Sequence, residues 1–108
     1  MATGISYKLA KYLASKKVVA VGLDTPFVDA LADPKNPVPI PEGTPENMLF
    51  PVHHYFLTQA GVHTLENFNL KKISDDSVEL SCVMILPLMV KGSSASSIRP
   101  VAIGPSSL

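Results

Sequence analysis

Hydrophobic and polar positions along the chain alternate between helical and strand periods. In "GISYKLAKYLASKK", Ile5, Leu9, Tyr12 and Leu13 recur at helical spacing, while lysines fill the other side and the last turn. A short amphipathic helix is predicted from about Ser6. "VVAVG" follows at once, a β-branched run closed by glycine, and it suits a fully buried strand. A helix leading straight into a buried strand is an α/β pattern. Residues 23–47 then hold six of the ten prolines. That density sustains neither a long helix nor a central strand, so an extended surface loop is predicted, centred on residues 30–49. Loops of that length inside compact domains are usually functional or mobile.

Regular structure is expected to resume at "LFPVHHYFLTQAG", with Pro51 near its start and Gly61 at its end, the asymmetry of a short helix. "VHTLEN" reads as a strand with Val62, Thr64 and Glu66 on one face and His63, Leu65 and Asn67 on the other. "LKKIS" is a helical turn. "VELSCVMILPLMV" begins as an alternating strand and becomes apolar on both faces, with Pro87 marking an edge or bulge. "KGSSASS" reads as a flexible loop and "IRPVAIG" as a last strand. The fold class expected is α/β, a mixed sheet with flanking helices.

Composition narrows the function. Of the 108 residues, 46% are hydrophobic and 17% charged, so some apolar surface should be covered by another copy or a further segment. Net charge is zero, and the lysines at 8, 11, 16 and 17 form the wet face of one helix, so nucleic acid is not an expected partner. No apolar run approaches the roughly 18 residues of a membrane span. The start does not resemble a signal peptide. A cytoplasmic protein without membrane attachment is expected. The final "SSL" lacks the basic residue of the peroxisomal S-K-L address. Cys82, the one cysteine, lies in an apolar run and reads as a buried, inert thiol.

The chemistry concentrates in "FPVHHYFLTQAGVHTLENFNL", which holds all three histidines and Glu66. His53 and His54 are adjacent on the predicted helix, so their side chains diverge by about 100° and cannot readily serve one ion. Glu66 lies twelve residues after His54, and a helix-to-strand return of that length can bring an imidazole and a carboxylate together. Such a pair is a partial ligand set for zinc or manganese. A catalytic zinc normally takes three protein ligands, and no third is evident. On spacing alone, helix packing and surface exposure account for the histidines better than ligation does. There is no G-x-S-x-G, H-E-x-x-H or phosphate-binding glycine loop.

Taken together, ordered segments covering nearly the whole chain resemble the second half of the metal-dependent cyclase family, which includes kynurenine formamidase and isatin hydrolase. They are Gly4-Ile5-Ser6, Gly22 to Asp29, His54 to Leu57, Leu65-Glu66-Asn67, Pro87-Leu88, Gly92 to Ser97 and Arg99 to Ile103. The resemblance implies the C-terminal half of a swivelling β/β/α domain, so that residues 1–108 form one partial domain. It implies that His54 and Glu66 bind a divalent metal, zinc or manganese. His53 then matches a variable position. Asp24 and Asp29 flank a loop near the site in structural or supporting roles, with His53 and Asn67 as further candidates beside it.

The implied function is metal-dependent hydrolysis of an amide carbon–nitrogen bond, arylformamidase-like, as in tryptophan catabolism through kynurenine. The partner would be a small-molecule amide. The family's principal metal motif, H-x-G-T-H-x-D-x-P-x-H, is absent from this sequence. The chain is therefore expected to need a missing N-terminal half, or another copy, that supplies three ligands and the catalytic histidine. By itself it should be inactive. The alternative is a non-catalytic, truncated α/β binding module or an inactive fragment.

Overall fold

Ser6 starts the first helix. Its backbone is extended and its hydroxyl accepts the Leu9 N–H at 3.2 Å, which satisfies one of the free donors of helix α1, Tyr7–Ser15. The buried stripe of α1 differs from the predicted one. Ala10 is fully buried, with Leu13 and Ala14 packed beside it, whereas Leu9 and Tyr12 are exposed. A small residue at the contact lets the helix lie close to its neighbours. The tyrosines instead carry lysines: the Lys11 Nζ sits 5.7 Å from the Tyr7 ring centre and the Lys16 Nζ 5.1 Å from that of Tyr12.

The computed structural model describes residues 4–30, 35 and 43–104. Most of the Pro-rich loop predicted over 30–49 lies outside these residues. The chain divides into two compact units, Met1–Leu70 and Lys71–Leu108.

In the first unit, β1 (Ala20–Gly22) pairs in parallel with β2 (His63–Leu65), Val21 standing opposite Thr64. Parallel strands need a crossover, and the helical segment between them supplies it. Helix α2, Pro51–His54, has Pro51 at its start, where a missing N–H costs nothing. It continues without a break as a π-helix, Tyr55–Ala60, and ends on Gly61 in the left-handed conformation at φ 66°. The Val62 N–H then closes onto the Phe56 carbonyl at 2.9 Å. Val28, Val52, Phe56 and Val62 join Ala10 in the core. The strand expected to be fully buried is only half covered, with Val19 exposed, because β1 belongs to a sheet of two strands. A separate parallel bridge joins Ile5 to Asp29, and the Ile5 N–H reaches the Val28 carbonyl at 2.9 Å.

In the second unit, α3 (Lys71–Asp75) carries the exposed pairs Lys71–Asp75 and Lys72–Asp76. The hydrogen bond to Asp76, helped by that residue's charge, holds Lys72 above the usual lysine range. Strands β3 (Cys82–Met84) and β4 (Val101–Ile103) pair antiparallel, with Val83 opposite Ala102. The strand expected across residues 78–90 is thus only three residues long and stops before Pro87. Every residue of both strands is exposed. Cys82 is exposed too, contrary to the buried thiol expected: a two-stranded ribbon has two open faces. The "KGSSASS" loop is tied by serine hydroxyls, Ser93 to the Ala95 carbonyl and Ser96 Oγ to the Leu88 N–H. The mixed α/β class holds, although among the described residues the strands form two pairs where one mixed sheet was expected. Among the described residues, no helix is long and apolar enough to cross a membrane.

Candidate active site around His53

Pro51 leaves the start of α2 with its first free backbone donors at Val52 and His53. The carboxylate that meets them comes from 23 and 24 residues earlier in the chain, respectively. Asp29 is buried, and its Oδ1 accepts the Val52 N–H at 2.7 Å while Oδ2 accepts the His53 N–H at 3.2 Å. A negative group at a helix start is stabilised by those donors. Asp29 Oδ2 also stands 3.0 Å from His53 Nδ1. One carboxylate therefore fixes both the helix start and the ring of its third residue. Among the described residues, no buried side-chain polar atom lacks a partner.

The opposite ring nitrogen faces β2. His53 Nε2 lies 3.2 Å from Glu66 Oε1, just past the strand end. Glu66 Oε1 also accepts the Val28 N–H at 3.2 Å, which links it to the segment carrying Asp29. His53 and Glu66 each keep about a quarter of their side-chain surface exposed, against 2% for Asp29. The site thus has a sealed end and an open end. Phe50 meets the His53 ring edge-on with centres 6.2 Å apart, and Phe27 stacks on Phe50 at 5.4 Å.

The expectation that His54 stands nearer Glu66 than His53 is not met. His54 is exposed, and its neighbour is Thr58, whose hydroxyl donates to the His54 carbonyl at 2.6 Å and lies 3.5 Å from each ring nitrogen. Asp29 holds the His53 ring, and the next side chain on the helix points about 100° away. Asp24 and His63 are exposed and do not join the cluster. Asn67 is exposed with φ 55°, and its N–H donates to the Thr25 carbonyl at 2.9 Å, so it shapes the turn after Glu66. Among the described residues, no three His, Cys, Asp or Glu side chains gather as metal ligands.

The ring's position poses a chemical constraint. If Nδ1 gives a proton to Asp29, a neutral ring presents a lone pair at Nε2 towards another carboxylate. Each ring nitrogen thus faces a carboxylate oxygen, Nδ1 that of the buried Asp29 and Nε2 that of the partly exposed Glu66. The sequence matches no family model, and no curated protein or solved structure matches it either.

Proposed function

We propose that the chain contributes two metal donors, His53 Nε2 and Glu66 Oε1, to a metal-dependent hydrolase of amide carbon–nitrogen bonds, of the cyclase type that the sequence resembles. The observation that carries the reading is the 3.2 Å separation of those two atoms. Two donors about 2.1 Å from one tetrahedral ion stand roughly 3.4 Å apart, so the donor pair fits a zinc- or manganese-like ion. Imidazole and carboxylate both suit these metals. Asp29 does not join them, since both its oxygens are turned to the start of α2. It holds the ring from behind, as carboxylates commonly do at histidine ligands.

A divalent ion at such a site acidifies water and polarises a carbonyl. The chain's own residues orient that chemistry: Asp29 stops the imidazole from turning, Glu66 adds an anionic donor, and the exposed end admits the amide. Further ligands and a general base come, on this reading, from a segment carrying H-x-G-T-H-x-D-x-P-x-H. N-formylkynurenine or a cyclic amide represents the substrate class.

The test is thermal melting of this chain mixed with such a segment, with and without zinc or manganese. Metal should raise the melting temperature of the wild-type mixture, by an amount equivalent to about 2.7 kcal/mol at a hundredfold excess over the dissociation constant. Glu66→Gln and His53→Ala should lose most of that shift, and His54→Ala should keep it. Equal shifts in all four proteins would end the assignment. The rival reading, a binding module without catalysis, draws on the exposed Leu80, Leu86, Leu88 and Met89 of the second unit. It would gain if the mixture associated equally well without metal.

A further inference from the structure

His53 lies between two carboxylates, and a neutral imidazole has one N–H to give. The two acceptors are unequal. Asp29 is sealed from water, and the ring approaches its Oδ2 at 3.0 Å. If the proton sat on Nε2, the Nδ1 lone pair would face that carboxylate with no water to separate them. Repulsion of this kind is strongest where the surroundings are least polar, and a buried acceptor that loses its donor cannot be rescued by solvent. Glu66 is different. It is partly exposed, already accepts the Val28 N–H, and can take a water in place of the ring. The asymmetry in burial therefore decides the position of the proton.

We infer that Asp29 is a positioning residue that locks His53 in its Nδ1–H tautomer and so presents the Nε2 lone pair at the open end of the site. Only the use of that lone pair, to hold a metal ion, rests on the function proposed above. The tautomer itself follows from the metal-free arrangement. Gly4 helps to fix this device, because its Cα packs so closely on the Asp29 backbone that a Cβ there would overlap the Asp29 carbonyl.

The inference makes Asp29→Asn more informative than a simple deletion. The amide has nearly the same shape, and its oxygen should take the Oδ1 place, where it keeps the shorter bond from Val52. Its NH2 group then faces His53 Nδ1 and donates to it. The ring proton must move to Nε2, where Glu66 accepts it. The His53 N–H loses its acceptor at the Oδ2 place, so the variant should be less stable than wild type, and where it folds the tautomer is reversed.

The experiment is ring nitrogen-15 NMR of the complete chain without added metal, at about pH 9, above the range where histidine rings usually titrate. The exposed His54 and His63 provide internal references. In wild type, His53 should show a protonated Nδ1 and an unprotonated Nε2. Asp29→Asn should exchange the two signals, with the Val28 and Val52 methyl resonances reporting that the core persists. Glu66→Gln should leave the wild-type pattern in place. A wild-type His53 protonated at Nε2 would overturn the inference, even if Asp29→Asn failed to fold. So would a folded Asp29→Asn with unchanged ring signals, or a reversal caused by Glu66→Gln. If the tautomer is as inferred and zinc titrated into the two-part mixture leaves the His53 signals unmoved, the metal reading fails while this inference stands.

Discussion

At the scale of single residues, the site depends on contacts that short motifs do not describe. Asp29 and His53 are far apart in sequence, and neither stands at a distinctive spacing from the other. What brings them together is a buried acid meeting the free N–H groups of a helix that begins with proline. The adjacent histidines show why local reading stops short. Their divergence on a helix follows from geometry alone, but the choice between them depends on which one Asp29 holds. Gly4 offers a test of that arrangement. A methyl group there would sit 2.5 Å from the Ala30 nitrogen, as well as against the Asp29 carbonyl, and backbone atoms cannot swing aside as a side-chain tip can. Gly4→Ala should lower stability by about 2–3 kcal/mol, in the range of overpacked sites. Denaturant unfolding monitored by circular dichroism checks it. A loss below about 0.5 kcal/mol, the scale of an ordinary surface change, would mean that the segment is free to move away from Asp29.

Elements divide into those whose ends are written locally and those whose extent is set by neighbours. Ser6, Pro51 and Gly61 mark helix boundaries through their own backbone chemistry, and each stands where that chemistry is used. The π-turn between Pro51 and Gly61 is not legible in "YFLTQA", which carries no local signal that separates it from an ordinary helical turn. Strand length depends on neighbours for a related reason. The apolar run from Val78 to Val90 has ample β propensity, but pairing ends where the partner strand ends, and β4 offers three residues. Gly61 separates conformational cost from steric cost. Nothing lies within 4 Å of a Cβ built there, yet its φ of 66° disfavours any side chain. Gly61→Ala should therefore cost about 1 kcal/mol and Gly61→Asn clearly less, since asparagine tolerates the left-handed region. Equal losses in the two variants, measured by thermal unfolding, would indicate a packing role for this position.

Across the whole molecule, burial is concentrated in one unit. The buried hydrophobic residues among those described are Ala10, Val28, Val52, Phe56 and Val62, all within Met1–Leu70. The second unit's strands carry exposed Val83, Met84, Val101 and Ile103. Burial of apolar surface is the main favourable term in folding, and amide protection follows the free energy of local opening. The two units should therefore differ in hydrogen exchange. The amides of Val62 and His63, bonded to the Phe56 and Val19 carbonyls, should exchange at least about a hundredfold more slowly than those of Cys82 to Met84, a gap in opening free energy of about 2.7 kcal/mol. The comparison should be made at micromolar concentration and repeated tenfold higher. Slowing of the β3 amides with concentration, while those of the first unit stay fixed, would locate an association surface on the exposed ribbon, where unpaired strand edges and apolar side chains coincide. Equal protection of the two units at the lowest concentration would contradict the assignment of the stable core to the unit that holds His53, and with it the rigid support on which the proposed donor pair depends.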